Sequence, residues 1–280
     1  MLPYEQNENS LDLRAFRDIY YRDPNLFSKQ SVVDRFVDDL ACTFDVPRSL
    51  LNVTATAKGL VAGAFTITRP DGTSMNGLGE RDGTLISRLH GDETVDMAQV
   101  RWILIVEKEA TINCLITNAH FYDNYLTQGI IITAKGYPDL STRSLLSLLT
   151  TQTPSPPLSI LVDYDPDGLS ILSTYKYGST STSHENLTLP SIRWLGVNSS
   201  YIGKQDSLHQ SQGLLRLSGR DRRLAARMLE KQLFGEDGPE QEWRVEVQRM
   251  LMLNVKAEIQ VLEAGPGGLV GWMKGSGLFD

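Results

Sequence analysis

The 280-residue sequence predicts an α/β protein whose larger, C-terminal part is built on a parallel β-sheet. Three times in succession, at residues 102–106, 129–133 and 158–162, a run of buried-strand residues is followed by a helix-like stretch. A repeat of this kind implies a parallel, Rossmann-like sheet with right-handed crossovers. Two short helices and a β-ribbon come before it and predict a smaller N-terminal unit.

The composition is that of a folded globular protein, with 41% apolar and 22% charged residues. The apolar run 102–106 is far below the roughly 18 residues that a membrane-spanning helix needs, so no membrane association is expected. The N-terminus lacks a basic-then-apolar secretion signal. Cys42 and Cys114 are therefore predicted to be buried free thiols in a reducing compartment. The net charge of −7 argues against a protein that is coated in positive charge for indiscriminate nucleic-acid binding.

The N-terminal unit is predicted from two helices and two strands. The first helix, residues 11–22, must end before Pro24, because the residue that precedes a proline is pushed out of helical geometry. Tyr20 lies on its apolar stripe and is predicted to point inward, whereas Tyr21 lies beside Arg17 on the polar stripe and is predicted to point outward. A second helix at about 31–44 and strands at 51–56 and 63–68 follow. This order resembles part of a winged helix.

The remaining boundaries follow from changes in pattern. Residues 77–97 show no sustained period and predict a linker, which separates an N-terminal domain at 1–76 from the sheet domain at 98–264. Helices at about 218–234 and 241–263 and a possible fourth strand at 192–197 belong to the sheet domain, and the glycine-rich residues 265–280 predict a flexible tail. A local concentration of positive charge, for which a solvated helix face is the favoured interpretation, comprises Arg216, Arg220, Arg222, Arg223 and Arg227.

Three carboxylates come at the ends of predicted parallel strands, where open α/β sheets bind their ligands. Glu107 follows the first strand, and Asp163 and Asp165 follow the third. Carboxylates without histidine or thiolate partners indicate magnesium (Mg2+) and phosphate chemistry. Ordinary strand-end acids that cap the following helices are an equally good interpretation from spacing alone. The stretch also resembles the start of a calcium-binding EF-hand loop, but Thr174 stands where that loop needs a bidentate glutamate, so a calcium site is rejected.

Tyr21 is the second candidate for chemistry. An exposed tyrosine one helical turn from Arg17 can act as a nucleophile toward phosphorus, since a guanidinium group binds phosphate and offsets its charge. Most exposed tyrosines are inert, and spacing alone favours that interpretation.

Several segments of the sequence resemble the motifs of one known family. They are Arg17–Tyr21 (RDIYY), Lys58–Gly63 (KGLVAG), Val106–Ala110 (VEKEA) and Asp163–Gly168 (DYDPDG). The family comprises the meiotic double-strand-break protein, sporulation protein eleven, and the A subunit of type VI DNA topoisomerase. The resemblance implies a Toprim domain preceded by a partial winged-helix domain. It extends from about Arg17 to Leu262 and also includes Lys135–Asp139, Ile192–Gly196 and Asn254–Gln260.

The resemblance implies a DNA transesterase that makes meiotic double-strand breaks through a 5′-phosphotyrosyl intermediate and so initiates homologous recombination. Tyr21 is then the catalytic tyrosine, and Arg17 braces the same phosphate. The metal ligands for Mg2+ are Glu107, Asp163 and Asp165. Lys58 is implied to contact the DNA backbone, and Gly59 to let the chain approach DNA closely.

The resemblance also implies partners and a location. They are double-stranded DNA, a second copy of the chain in a homodimer, a topoisomerase VI B-like subunit that uses the ATP, and other accessory proteins of meiotic break formation, in the nucleus on chromosomes. The alternatives are a Toprim-type nuclease or primase-like enzyme without a covalent tyrosine, and a noncatalytic DNA-binding subunit. Only sixteen residues precede Arg17, fewer than the family's winged helix implies, which predicts a truncated N-terminus. Asp167 stands where relatives commonly carry histidine or an aromatic residue.

Overall fold

The structure is a computed structural model, and it describes residues 14–46, 51, 53–54, 58–89, 91–151, 155–178, 187–203 and 213–279. The chain divides into two compact units. The first comprises Met1–Ala57 with Gly178–Leu187, and the second comprises Lys58–Tyr177 with Thr188–Asp280. No helix in these described ranges is long and apolar enough to cross a membrane.

The first unit is a small helical assembly. Helix α2 starts at Pro24 and is capped by the Asp23 side chain, which accepts the Leu26 N–H at 3.0 Å. A small apolar cluster is centred on Val33 and Val37. The elements of this unit are β1 (Arg14–Ala15), α1 (Phe16–Arg22), α2 (Pro24–Phe27), α3 (Gln30–Phe44) and β2 (Val53–Thr54), which pairs in parallel with β1.

The second unit is built on a six-stranded sheet whose central strands are parallel and fully buried. The parallel strands are β8 (Trp102–Val106), β9 (Gly129–Thr133), β10 (Leu158–Leu161) and β11 (Arg193–Leu195). The order across the sheet is β11-β10-β8-β9-β3-β6, in which β3 (Leu60–Gly63) and β6 (Thr84–Leu85) are antiparallel. The crossover helices are α4 (Glu109–Thr117), α5 (Ala119–Asn124), α6 (Leu140–Thr150) and α7 (Pro166–Tyr177). The predicted α/β class is therefore confirmed, including the fourth strand.

Strand β3 differs from its predicted place. The sequence predicted a ribbon of the N-terminal domain here, but Leu60 pairs with Thr133 and Gly63 pairs with Ile130 of β9. The structure accordingly divides the chain after residue 57 and not after residue 76. The predicted linker also carries strands: β6 lies in the main sheet, and a three-stranded sheet contains β4 (Thr66–Thr68), β5 (Ser74–Asn76) and β7 (Thr94–Asp96). A short apolar strand pattern gives no information about the partner strand, which is why the assignment differed.

The C-terminal part contains α10 (Gln241–Leu253), which buries Trp243, Val247 and Met250 in the main core. The predicted helix to residue 263 ends earlier, because Asn254 adopts a left-handed conformation with φ of 52°. The predicted flexible tail contains α11 (Gly268–Gly275), whose Met273 is buried. The other elements are α8 (Ser199–Gly203), β12 (Leu214–Arg216), α9 (Gly219–Leu229) and β13 (Val255–Ala257), with 3-10 helices at Leu126–Gln128, Gln232–Phe234 and Ile259–Ala264.

The two cysteines are exposed, contrary to the prediction. Helix α3 buries Val33, Val37 and Ala41, and Cys42 lies one step further round the helix. In α4 the buried residues occupy the face opposite Cys114.

Candidate functional site

The acidic edge, defined here as Glu107, Asp163 and Asp165, lies at the carboxyl end of the central strands. Glu107 directly follows β8, and Asp163 comes two residues after β10. These strands are parallel neighbours, so their carboxyl ends meet at the same edge. The backbone N–H of Asp163 donates a hydrogen bond to Oε2 of Glu107 at 3.0 Å. The predicted proximity of the two strand ends is thus confirmed.

Two carboxylates of the acidic edge, Glu107 and Asp165, have a raised pKa. Burial and the negative charges of Asp163 and Asp165 raise the pKa of Glu107 to about 7. The hydrogen bond from the Asp163 backbone and the positive charge of Lys108 lower it, but by less. Burial raises the pKa of Asp165, and the charges of Asp163 and Asp167 add to it. Concentrated, partly desolvated negative charge of this kind is relieved by a cation.

The Asp163 side chain contacts a backbone N–H and a lysine. Its Oδ1 accepts the backbone N–H of Ile259 at 2.8 Å, and its Oδ2 pairs with Nζ of Lys108 at 2.9 Å. Lys108 in turn donates to Oε1 of Gln260 at 3.1 Å and lies 3.8 Å from Oε2 of Glu258. Both oxygens of Asp163 are therefore engaged by protein groups.

The donors that remain at the acidic edge are of the kind that Mg2+ uses. Oε1 of Glu107 and Oδ2 of Asp165 accept no hydrogen bond from a described residue, whereas Oδ1 of Asp165 accepts the N–H of Gly168 at 2.7 Å. Mg2+ is usually held by one or two carboxylates with waters and substrate phosphate, so this pair fits the ion. Within the ranges that the structure describes, no group of three histidine, cysteine, aspartate or glutamate side chains is arranged to hold a metal ion.

Tyr164 fixes the backbone between the two aspartates. Its N–H and C=O bond to the C=O and N–H of Ala257 at 2.8 Å and 3.0 Å, and its fully buried hydroxyl donates to Oε2 of Glu246 at 2.8 Å. Burial and the Glu246 carboxylate raise the pKa of Tyr164, so the phenol stays a donor. Glu246 also accepts from the N–H and hydroxyl of Ser199, each at 2.8 Å, and from Arg249 at 3.0 Å. A buried polar network thus holds the backbone that carries Asp163 and Asp165.

Lys58 lies at the same edge of the sheet as the acids. Strand β3 starts opposite the end of β9, because the two are antiparallel, and Lys58 comes just before it. Its N–H donates to Oδ2 of Asp139 at 3.1 Å, and Oδ1 of Asp139 caps α6 by accepting the Thr142 N–H at 2.8 Å. The exposed Lys58 ammonium lies 3.4 Å from the carbonyl of Lys135.

Gly59 is buried and closely packed within the protein. A Cβ at this position would meet Oγ1 of Thr142, and it would lie 2.8 Å from Cδ1 of Ile86 and 3.0 Å from the Thr133 carbonyl. Packing within the protein therefore requires a glycine here.

Tyr21 and Tyr20 take the predicted orientations. Tyr21 is 65% exposed on α1, whereas Tyr20 is partly buried against the cluster of Val33 and Val37. Their rings meet edge to face, with centroids 5.2 Å apart. Arg17 belongs to the same helix, but its side chain lies outside the described residues.

Several residues that shape this edge were not predicted as functional from the sequence. They include Lys108, Tyr164, Asp139 and Glu246. The signal in the sequence was the family motifs, since Lys108, Tyr164 and Asp139 lie within quoted motifs without an assigned role, whereas Glu246 lies in none. The segment Lys135–Asp139 is one of these motifs, and Asn254–Gln260 is another. Gly136 N–H donates to the Glu107 carbonyl at 3.0 Å, which connects the first of these segments to the acidic edge.

Comparison with protein-family models agrees with the two units of the molecule. Residues 102–266, which contain the acidic edge, match the model for the Toprim domain of the topoisomerase 6 A subunit and Spo11. Residues 13–53, which contain Tyr21, match the model described as "Type IIB DNA topoisomerase".

Curated relatives match most of the chain. It is 38% identical over 254 residues to "Meiotic recombination protein SPO11" of Homo sapiens, an alignment that covers 88% of this chain and 61% of the relative. It is 37% identical over 261 residues to "Meiotic recombination protein rec12" of Schizosaccharomyces pombe, covering 92% and 69%. It is 37% identical over 254 residues to the A subunit of DNA topoisomerase 6 of Arabidopsis thaliana, covering 89% and 56%. The chain thus spans a little over half to about two thirds of these relatives, and it belongs to the family of Spo11 and the topoisomerase 6 A subunit.

Proposed function

We propose that this chain is a magnesium-dependent DNA transesterase that makes meiotic double-strand breaks and so initiates homologous recombination. The observation that carries the proposal is the exposed Tyr21 within residues 13–53, the range that matches a type IIB DNA topoisomerase model. The names of the Homo sapiens and Schizosaccharomyces pombe relatives, both meiotic recombination proteins, support the biological setting.

The proposed reaction is an exchange of one phosphodiester for another. The phenolic oxygen of Tyr21 attacks a DNA phosphorus and forms a 5′-phosphotyrosyl bond, while the bond from phosphorus to the 3′-oxygen breaks. The phenol gives up its proton, and the leaving oxygen gains one and becomes a 3′-hydroxyl. One ester bond replaces another, so the cleavage step is proposed to need no ATP.

The acidic edge is proposed to hold Mg2+. Glu107 and Asp165 each supply a carboxylate oxygen that accepts no hydrogen bond from a described residue. Asp163 is proposed to become a third ligand when its ion pair with Lys108 opens. When bound, the ion stabilises negative charge on the transferring phosphate and on the leaving oxygen. Arg17 is proposed to brace the same phosphate, and Lys58, exposed at the same edge as the acids, to contact the DNA backbone.

The assembly is proposed to be a homodimer on double-stranded DNA, in which Tyr21 of one protomer acts with the acids of the other. The proposed partners are a topoisomerase VI B-like subunit together with further meiotic accessory proteins, and chromosomes in the nucleus are the proposed location. The names of the meiotic relatives support this setting.

The test is a covalent-adduct assay. The protein, with its partner subunits where these are needed, is incubated with labelled supercoiled DNA and Mg2+ and then denatured, and label that remains on the protein is measured. Tyr21→Phe is expected to abolish the adduct, because the only atom removed is the attacking oxygen. Tyr20→Phe is the matched control, since it removes the same atom from the partly buried neighbouring ring.

Three results would count against the proposal. An adduct that persists in Tyr21→Phe would exclude this nucleophile. Strand cutting without an adduct would instead favour a metal-dependent nuclease or primase-like enzyme. DNA binding by the complete assembly with neither product would favour a noncatalytic DNA-binding subunit.

A further inference from the structure

Helix α9 carries positive charge that the overall charge of the chain hides. Residues 216–231 contain six basic and two acidic side chains, although the formal net charge of the chain is −7. The helix starts with a capping box formed by Ser218 and Asp221, and it packs inward through Ala225 and Met228. The arginines are therefore left on its outer side.

Two of these arginines are already engaged by protein groups. Arg220 makes a bidentate pair with Asp167, at 2.5 Å and 3.1 Å, and Arg222 donates to Oδ1 of Asn254 at 3.1 Å and to the Leu217 carbonyl at 3.0 Å.

The other three define what we call the α9 arginine face: Arg223 and Arg227 lie on the helix, and Arg216 ends strand β12 just before it. All three are exposed, and none forms an ion pair or hydrogen bond with a described residue. Arg223 and Arg227 are one helical turn apart and lie side by side.

The nearest acid on the helix does not neutralise this face. Asp221 is buried and pairs with Nζ of Lys256 at 2.9 Å, and it accepts the N–H of Ser218 at 2.9 Å. Burial pushes the pKa of Asp221 upward, but the hydrogen bonds from Ser218 and Lys256 outweigh it and lower the pKa overall. The negative charge of Asp221 is thus paired within the protein and does not neutralise the outer arginines.

The helix lies across the start of α7, next to the acidic edge. Arg220 contacts Asp167 in the first turn of α7, and Sδ of Met228 lies 3.9 Å from Oγ of Ser170 in the same part of that helix. Arg220 and Met228 are eight residues apart and so span about 12 Å along α9, whereas their partners Asp167 and Ser170 are only about 4.5 Å apart along α7. The two helices therefore cross, and the start of α9 lies beside the first turn of α7, which directly follows Asp165.

We propose that the α9 arginine face is a binding surface for the phosphate backbone of duplex DNA that flanks the cleavage position. This inference rests on the proposed function. Unpaired guanidinium groups bind phosphate bidentately and without regard to base sequence. The exposed positions of the helix between 220 and 230 carry arginine, alanine and one glutamate. They offer no large apolar side chain for the core of a protein interface, so DNA is favoured over an acidic protein segment.

The test compares DNA binding by the full chain in a Tyr21→Phe background, where the proposed cleavage cannot occur. The variant replaces Arg216, Arg223 and Arg227 by glutamine, and the control is Arg101→Gln. Arg101 is also exposed, but it precedes β8 and so lies at the opposite edge of the sheet. Binding is measured over a range of salt concentrations on a duplex of about one helical turn and on one of about four turns.

On the longer duplex, the salt dependence of log K is expected to weaken by roughly 0.9 for each phosphate that an arginine no longer neutralises, or about 3 for the triple variant. The shorter duplex is expected to show a smaller change. Unchanged affinity and slope in the triple variant would overturn the proposal and leave a solvated or protein-binding face. A loss in Arg101→Gln as large as that in the triple variant would also overturn it. The adduct assay decides the proposed function separately, so the two proposals can fail independently.

Discussion

Removal of the Tyr164 hydroxyl tests whether the network behind the acidic edge stabilises the fold. Tyr164→Phe deletes one oxygen and keeps the ring, and the ring is fully buried. The main bond lost is the one that Tyr164 donates to Oε2 of Glu246 at 2.8 Å, with a longer one to the Glu246 carbonyl at 3.3 Å. Glu246 would keep its bonds from Ser199 and Arg249, so the change weakens the network without leaving an unpaired charge.

The expected cost follows from the type of bond. A hydrogen bond to a charged group contributes about 1.5–3 kcal/mol. In a unit of this size, ~1 kcal/mol shifts the melting temperature by roughly 2–4 °C, so a loss of about 2 kcal/mol predicts a fall of about 4–8 °C. Thermal and urea unfolding measure both quantities.

Tyr122→Phe is the matched control. The Tyr122 hydroxyl donates to the neutral carbonyl of Leu78 at 3.1 Å in a partly buried position, so its removal is expected to cost only about 1 kcal/mol. A double-mutant cycle of Tyr164→Phe with Glu246→Gln isolates the pairwise energy. The reasoning is refuted if Tyr164→Phe costs no more than Tyr122→Phe, or if the cycle shows no coupling.

Three further predictions use simple variants. Gly168→Ala would push a methyl group into the backbone at the start of the acidic motif, with a loss of about 1–3 kcal/mol in urea unfolding, whereas Gly275→Ala enters open space and should be nearly neutral. Asp221 has a lowered pKa in the fold, beside Lys256, so its stabilisation is present above its unfolded pKa and is lost as pH falls through the folded value. The melting-temperature difference between Asp221→Asn and the wild type should therefore be full near neutral pH and shrink below about pH 4, and a constant difference would contradict this. Gly59→Ala should lower the melting temperature through overpacking, and an unchanged value would show that the chain there gives way easily.

The central sheet could be predicted from the sequence because its three central strands, β8, β9 and β10, are buried on both faces. The run 102–106 is apolar throughout and 130–132 is three isoleucines, a pattern typical of a parallel strand that is covered on both faces. The order of strands and helices then fixes where the carboxyl ends meet. For this reason the positions of Glu107 and Asp163 along the sheet edge followed from the chain alone.

Helix α3 shows a limit of periodicity. Its apolar residues recur at helical spacing, but Phe36, Leu40 and Phe44 are exposed while Val33 and Val37 are buried. A periodic pattern defines an apolar sector of a helix, and the neighbouring elements decide which part of that sector is covered. No local signal identifies those neighbours.

The orientation of Asp163 shows the same limit at the candidate site. Its partner Ile259 lies 96 residues further along the chain, and the interaction uses a backbone N–H that any residue except proline could supply. Side-chain identity therefore carries no trace of this contact. The pairing with Lys108 depends on the same docking, because Gln260 holds the ammonium from that segment.

The bond pair between Tyr164 and Ala257 also constrains the order of events during synthesis. Strands β8 and β10 leave the ribosome long before residues 255–260 do, so the nascent sheet carries all of its carboxylates while the segment that orients them is still inside the exit tunnel. A premature stop codon shortly after α10 would give a polypeptide that keeps Glu107, Asp163 and Asp165 but lacks the strand that fixes Tyr164. Such a product would contain all three acidic residues but would lack the contacts that orient them.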